Sequence, residues 1–285
     1  MRNIRLTIAY DGTDYVGWQV QPNGPSVQTT VESAIAKLTG ETTRLQAAGR
    51  TDSGVHALGQ VANFSSRCAI PCANIRAGLQ TFLPDDIVVR DVEDVSSDFH
   101  ATYSATKKRY RYVIFNSGVP DPFVRRYAWR VPADLDSEAM HDAAQHLVGT
   151  HDFRCFESHF PNRATSVRTV SEAVVGRHAG WPVWNQPDSL NEKPCAEGQF
   201  IWFEIVADGF LYNMVRAIMG TLIKVGRNVW QPEAVHDIIQ GGDRAAAGET
   251  APACGLYLVD VSYENGGLLS SNLEESLSPD PDCRT

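Results

Sequence analysis

Positive charge is in short supply in this chain: 25 Lys and Arg stand against 34 Asp and Glu in 285 residues, a formal net charge of −9 with His neutral. Binding phosphates normally demands an excess of cations, so the overall balance argues against a nucleic-acid partner unless the cations are gathered locally. Long apolar runs are also missing. No stretch approaches the ~20 residues that span a bilayer, and Met1-Arg2-Asn3-Ile4 leads directly into a strand pattern without an apolar signal core. The expectation is a cytoplasmic protein, neither secreted nor inserted in a membrane. The six cysteines, Cys68, Cys72, Cys155, Cys195, Cys254 and Cys283, form no paired framework beyond one lone C-x3-C. A chain of this size builds its core without disulfides, so they read as reduced thiols. There is no P-loop and no dinucleotide fingerprint. His141, His146 and His151 are spaced by five, which sets successive rings ~140° apart on a helix, so they do not converge on a metal.

Some of the negative charge is local. The segment 265–285 carries Glu274, Glu275, Asp280 and Asp282 against Arg284 alone, and its Ser-, Asp- and Pro-rich composition predicts a disordered tail. Elsewhere the cations cluster. Lys107-Lys108-Arg109-Tyr110-Arg111-Tyr112 sets four cations among two aromatics, and Arg125, Arg126 and Arg130 follow with Tyr127 and Trp129. Because local fields act over a Debye length of ~8–10 Å, a basic, aromatic-lined cleft binds RNA even on an acidic protein. The same pattern also fits an exposed strand face with solvated charges.

Along the chain, Ile4, Leu6, Ile8 and Tyr10 alternate with Arg5, Thr7 and Ala9, the period of a half-buried strand over about 3–10. Val27, Val31, Ala34, Ile35 and Leu38 recur at helical spacing between a capping Ser26 and Gly40. A short strand at about 43–48, a strand near 60–65, a helix at about 73–82 stopped by Pro84 and a strand at Ile87–Val92 complete a βαββαβ order, the ferredoxin-like split unit. The second half reads as an elaborated version: strands at about 107–116 and 125–131, a helix at 137–148, strands at about 167–176 and 199–207, helices at 210–225 and 232–240, and a last strand at 256–263. The expected class is α+β, two ferredoxin-like or RRM-like halves (1–105 and 106–264) forming a mostly antiparallel sheet with a central cleft. Residues 178–198, rich in Trp and Pro, read as a long loop or insertion.

Two stretches carry the chemistry. Ala48-Gly49-Arg50-Thr51-Asp52-Ser53-Gly54-Val55-His56 packs a carboxylate, Arg50, His56 and two glycines into a loop between strands, a common way to present reactive groups. A tight turn in which Asp52 caps a backbone N–H and Arg50 covers it uses the same residues. The second is the helix around Arg216, the only charge between Asp208 and Lys224. An unpaired cation among apolar neighbours costs several kcal/mol, so a carboxylate partner is expected, Asp52 being preferred. Such a pair is either structural or holds Asp52 ionised for work as a nucleophile or base.

Taken together, the runs Ala9-Tyr10-Asp11-Gly12 with Gly17-Trp18-Gln19, Gly49 to His56, Phe99-His100-Ala101 with Ser104-Ala105, Arg109-Tyr110-Arg111-Tyr112, Asn213-Met214-Val215-Arg216 and Gly255-Leu256-Tyr257-Leu258 resemble the tRNA pseudouridine synthase A family from about residue 4 to residue 263. The resemblance implies that Asp52 is the essential aspartate, Tyr110 the tyrosine lying against the target base and Arg216 the arginine paired to the aspartate. It further implies that Arg50 helps move the base out of the stack and that Leu256 is an apolar pocket wall. It implies a cofactor-free enzyme, usually a homodimer, that isomerises uridines on the 3′ side of the tRNA anticodon stem-loop. Lys107, Arg109 and Arg111 are the further RNA contacts expected from the basic run. Thr102 stands where the family often has arginine, which puts one phosphate contact in doubt, and residues 178–198 are longer than in compact members.

The chemistry fits the residues. Uridine becomes pseudouridine when the C1′–N1 bond breaks, the base turns and C1′ joins C5, so atoms are conserved and no redox group or metal is required. The base must leave its stack, at a cost of a few kcal/mol, for a pocket with a cation and an aromatic wall. Asp52 either attacks C1′ or removes the 2′ proton. A phenol of ordinary pKa, ~10, is a poor base at neutral pH, so Tyr110 serves either as a base that needs activation or as a stacking platform, or is simply a core aromatic on its strand. Two other readings use the same residues: a non-catalytic tRNA-binding protein or tRNA chaperone on this scaffold, and a glycosidic-bond hydrolase pairing Asp52 with Asp11 or Asp14.

Overall fold

The computed structural model describes residues 1–158, 165–178 and 198–264. The alternating run forms β1 (Arg2–Tyr10), with Ile4, Leu6, Ile8 and Tyr10 buried. Helix α1 (Val27–Thr39) starts where its cap predicts: the Ser26 hydroxyl accepts the Thr29 N–H at 3.2 Å, and Gly40, at φ 75°, ends it by donating to Ala36. Next come β2 (Gln46–Ala47), β3 (His56–Ser66), α2 (Cys72–Gln80) and β4 (Ile87–Val95). The expected βαββαβ order is present. β3 is longer than its sequence suggests because its burial is nearly continuous, so the period-two signal is lost.

The second half contributes β5 (Ala105–Asn116), β6 (Trp129–Val131), α3 (Ser137–Gln145), β7 (Gly149–Asp152), β8 (Val167–His178), β9 (Phe200–Ala207), α4 (Met214–Gly226), α5 (Ala234–Gly241) and β10 (Leu256–Tyr263). The strand expected from 125 begins only at Trp129, because the N–H groups of Tyr127 and Ala128 both turn back to the Val124 carbonyl. β7, four residues of which Thr150 is exposed and the other three half-buried, was not expected. Helix α4 starts at Met214 rather than 210: Asn213 sits at φ 61°, a left-handed conformation that a helix does not continue through. Of the 178–198 segment only His178 and Gly198 lie within the described residues, and the whole of 265–285 lies outside them.

The fold is α+β: among the described residues ten strands form one mostly antiparallel sheet in the order β4-β1-β3-β10-β5-β9-β8-β7, with β2 beside β3 and β6 beside β5. Neighbours are antiparallel except β10 with β3 and β6 with β5. The last strand therefore enters the middle of the sheet, pairing Tyr257 with His56 on one side and Leu256 with Tyr112 on the other. Apolar residues from all five described helices join the larger core with Tyr110, Tyr112 and Ile114 of β5. Val113 and Phe115 face the other way, into a smaller cluster with Ala128, Phe200, Trp202 and Tyr257. That division of β5 into two faces decides which of its charged residues reach the cleft.

Candidate active site

The Asp52 loop, between β2 and β3, is held from several sides. The Ala48 N–H donates to Val61, the Gln60 side-chain amide donates to the Gly49 carbonyl at 2.9 Å, and the Trp18 N–H donates to the Thr51 carbonyl at 3.0 Å. The Thr51 hydroxyl lies 2.7 Å from the Tyr10 hydroxyl, and Ser53 donates to the Tyr15 carbonyl. Two glycines are required here. Gly17, at φ 108°, lies against the loop, where a Cβ would stand 2.6 Å from the Thr51 carbonyl oxygen; Gly54, at φ 76°, makes the turn after Asp52. The loop is thus fixed by backbone and side-chain contacts that leave the Asp52 side chain for other uses.

That side chain faces α4. The Arg216 guanidinium lies 3.6 Å from the Asp52 carboxylate, and both groups are mostly buried, with 18% and 23% of their side-chain surfaces exposed. Arg216 is oriented by donation to the Ala251 carbonyl at 2.7 Å and to the Asn213 side-chain oxygen at 2.9 Å. The left-handed Asn213 therefore serves both to begin the helix and to aim its arginine. Arg216 acts on Asp52 in the expected direction, but burial outweighs it. Burial raises the Asp52 pKa, and the charge and hydrogen bonding of Arg216 only partly oppose it, so the pair does not by itself keep the carboxylate at or below its ordinary range.

Asp52, but not Arg216, lines a cavity of about 730 Å3 walled by the Asp52 loop, Tyr110 and Lys108 of β5, the segment 208–215 and Leu256 of β10. Tyr110 is buried and meets Phe210 edge-on, ring centres 4.9 Å apart. Arg50 is exposed and lines the cavity. Tyr103, 84% exposed, and Tyr212, also exposed, line it as well, and the Tyr103 ring lies against His100 at 4.3 Å. Glu157 and Asp208 add acidic groups to the wall.

Three of the residues expected to contact RNA do not line the cavity. Side chains alternate along a strand, so Lys107, Arg109 and Arg111 project from the face of β5 opposite to Tyr110. Arg111 is fully buried; its Nε donates to Glu204, its cross-strand neighbour, at 2.6 Å, and its guanidinium lies over the Trp202 ring at 4.2 Å. Arg109 binds Glu204 and Glu172, each at 3.0 Å. These arginines are structural ion pairs that neutralise an otherwise buried carboxylate, and Lys107 is exposed on the same side. Lys108, which no reading singled out, takes the cavity position; counting by two from Tyr110 would have found it.

Asp11 and Asp14 do not reach the cavity. Burial would raise the Asp11 carboxyl, but hydrogen bonds from His56, Thr13 and Tyr127 outweigh it and hold the carboxyl below its usual range. Asp14 is exposed, 3.4 Å from Arg126. The carboxylate pairs proposed for a hydrolase are therefore not assembled. Among the described residues no helix is long and apolar enough to cross a membrane, and no three His, Cys, Asp or Glu cluster as metal ligands. His146 ends α3, and the His151 ring meets the Val148 carbonyl.

Comparison with known proteins decides the family. The model of the tRNA pseudouridine synthase family matches residues 6–104 and 143–264. The chain belongs to the tRNA pseudouridine synthase family. It is 46% identical over 263 residues to tRNA pseudouridine synthase A of Acetivibrio thermocellus, covering 92% of this chain and 100% of that one. It is 44% identical to the enzyme of the same name from a Thermoanaerobacter species and 41% identical to that of Pelobacter propionicus, with the same coverage of both chains. Membership makes the protein an RNA isomerase and accounts for its sheet. Asp52, Arg216 and Leu256 fall within the matched stretches; Lys108 and Tyr110 lie in the interval between them.

Proposed function

We propose that this protein isomerises uridine to pseudouridine in tRNA, on the 3′ side of the anticodon stem-loop, with Asp52 as its acting carboxylate. The observation that carries the reading is the meeting of Asp52 and Arg216, 3.6 Å apart though they come from opposite halves of the sequence, at the wall of a cavity that Asp52 lines together with Tyr110 and Leu256. Its volume suits a nucleotide-sized guest. The target uridine leaves its stack with Arg50 at the entrance and lies against Tyr110, and Leu256 closes the apolar side. Asp52 then attacks C1′ or takes the 2′ proton; either act needs it ionised, and Arg216 favours that state against burial. Tyr103 and Tyr212 offer faces on which flanking unpaired bases stack. No cofactor takes part, and a homodimer presents one tRNA to both subunits.

The test is tritium release from tRNA carrying C5-labelled uridine. Wild-type protein releases tritium and forms pseudouridine; Asp52→Ala binds the tRNA and releases none. Retained turnover in Asp52→Ala removes Asp52 from the reaction. Binding with no turnover by the wild type favours the non-catalytic tRNA-binding reading.

A further inference from the structure

Asn213 opens α4 without capping it: its side chain makes no hydrogen bond to the first turn, although Asn is among the residues best suited to that task. Both ends of its amide are spent elsewhere. The side-chain oxygen accepts from Arg216 Nη1 at 2.9 Å, and the side-chain nitrogen donates to the Ser158 hydroxyl oxygen, also at 2.9 Å. Nη1 is the same atom that faces Asp52 at 3.6 Å. Ser158 comes from a different part of the chain, shortly after the single helical turn Arg154–Phe156, and its own N–H donates to the Tyr212 carbonyl at 3.2 Å. A line of contacts thus runs from Ser158 through Asn213 and Arg216 to Asp52.

A guanidinium carries donors only, so Arg216 decides which end of the amide faces it, and the Ser158 oxygen decides where that amide sits. We propose that Ser158 is a positioning residue for the isomerisation: by accepting from Asn213 it holds the amide oxygen against Nη1 and so keeps that nitrogen on the Asp52 carboxylate. Ser158 is not among the residues that line the cavity. It acts only through Asn213 and Arg216, as a supporting group holds a reactive one in place. The other arm of the guanidinium, Nε, is held separately by the Ala251 carbonyl at 2.7 Å, so cutting the Ser158 link loosens Nη1 without releasing the whole side chain. The inference rests on the proposed isomerase reading and adds a residue that lies outside the runs carrying the family resemblance.

The pH dependence of kcat/KM, followed by tritium release, tests this line of contacts. The other charged groups on the cavity wall are Arg50, Lys108, Glu157 and Asp208, with the phenols of Tyr103, Tyr110 and Tyr212; the variants leave all of them in place. In Ser158→Ala we expect a fall of ~3-fold at neutral pH, the size of one neutral hydrogen bond, an acid limb moved to higher pH and tRNA affinity little changed. Ser158→Thr keeps the hydroxyl and restores both. A disturbed Glu157 does not mimic this, since losing its charge moves the limb to lower pH. Asn213→Gly suits the left-handed backbone but removes the amide, and should lose ~10-fold, as for a hydrogen bond to a charged group. The double variant is no worse than Asn213→Gly alone, because Ser158 acts through Asn213. An unmoved limb in Ser158→Ala overturns the proposal, as do losses that add in the double variant or a loss confined to tRNA affinity. If Ser158→Ala melts far below wild type, Ser158→Cys, close in size but a weak acceptor, is read in its place by the same criteria. A wild type that makes no pseudouridine sinks the isomerase reading itself; an active wild type whose Ser158→Ala variant keeps the same limb sinks only this inference.

Discussion

Replacing Arg216 by Gln tests the electrostatic core of the site. At the observed 3.6 Å, the attraction between the guanidinium and an ionised Asp52 is about 1 kcal/mol at the dielectric of water and about 5 kcal/mol at an effective constant of 20. The pair is mostly buried, so the upper part of that range applies, and at tenfold per ~1.4 kcal/mol the ionised carboxylate becomes ~10- to 10³-fold harder to form. Burial already raises the Asp52 pKa and Arg216 lowers it; without Arg216 the acid limb of kcat/KM must move to higher pH. The loss should therefore be large at neutral pH and shrink as pH rises and Asp52 ionises again. Arg216→Lys keeps a charge but not the fork that binds Ala251 and Asn213, and should shift the limb less. The assay is tritium release across a pH series with melting followed at each pH. A loss of equal size at every pH, with the acid limb unmoved, refutes the electrostatic role and leaves Arg216 as a scaffold for its helix.

Three other outcomes follow from the same structure. Because the folded-state pKa of Asp52 is raised, the folded protein binds a proton that the unfolded chain has lost, so this group's contribution to stability declines as pH rises from its ordinary value through the raised one. Asp52→Asn should then melt above wild type at neutral pH, the difference closing as pH falls toward 4; a variant less stable at pH 7 contradicts the sign. Glu204→Gln leaves the fully buried Arg111 without its counter-charge, a loss of ~3–5 kcal/mol, which at ~2–4 °C per kcal/mol lowers Tm by about 6–20 °C; a neutral result by differential scanning calorimetry reassigns Arg111. Tyr103→Ala removes an exposed ring and should leave Tm unchanged while weakening tRNA binding by ~1–3 kcal/mol, as for a lost base stack; unchanged affinity by filter binding excludes the stacking role.

Local signals were the legible part of the fold. Ser26 and Gly40 bracket α1 because a capping oxygen and a left-handed glycine act within one turn, and β1 announces itself by period two. Asp52 and Arg216 were legible for a different reason: one is a carboxylate in a glycine-bounded loop, the other a lone charge in an apolar helix, and each needs the other. What stayed hidden depends on partners distant in sequence. That Arg109 and Arg111 belong to Glu204 follows from the register of β5 against β9, which the run Lys107–Tyr112 does not contain. The late start of α4 is set by a single backbone angle at Asn213, invisible to hydrophobic periodicity. The raised pKa of Asp52 follows from how deeply the loop is covered, a property of the assembled cavity rather than of nine residues.

The position of β10 ties these pieces together. It joins β3, which follows the Asp52 loop, to β5, which carries Lys108 and Tyr110, and its first residue, Leu256, is itself a cavity wall. The segment just before it supplies the Ala251 carbonyl that orients Arg216 and the Pro252 carbonyl that accepts from Tyr112. The site is therefore incomplete until the last strand is inserted, so a partly folded chain would hold Asp52 without its apolar wall and Arg216 without the carbonyl that orients it. Holding a carboxylate where burial works against its ionised form requires a frame that does not relax around it. The parallel pairing of β10 with β3, the backbone bonds to the loop and the Gly17 contact supply that frame. The burial that this frame enforces is the one that raises the Asp52 pKa.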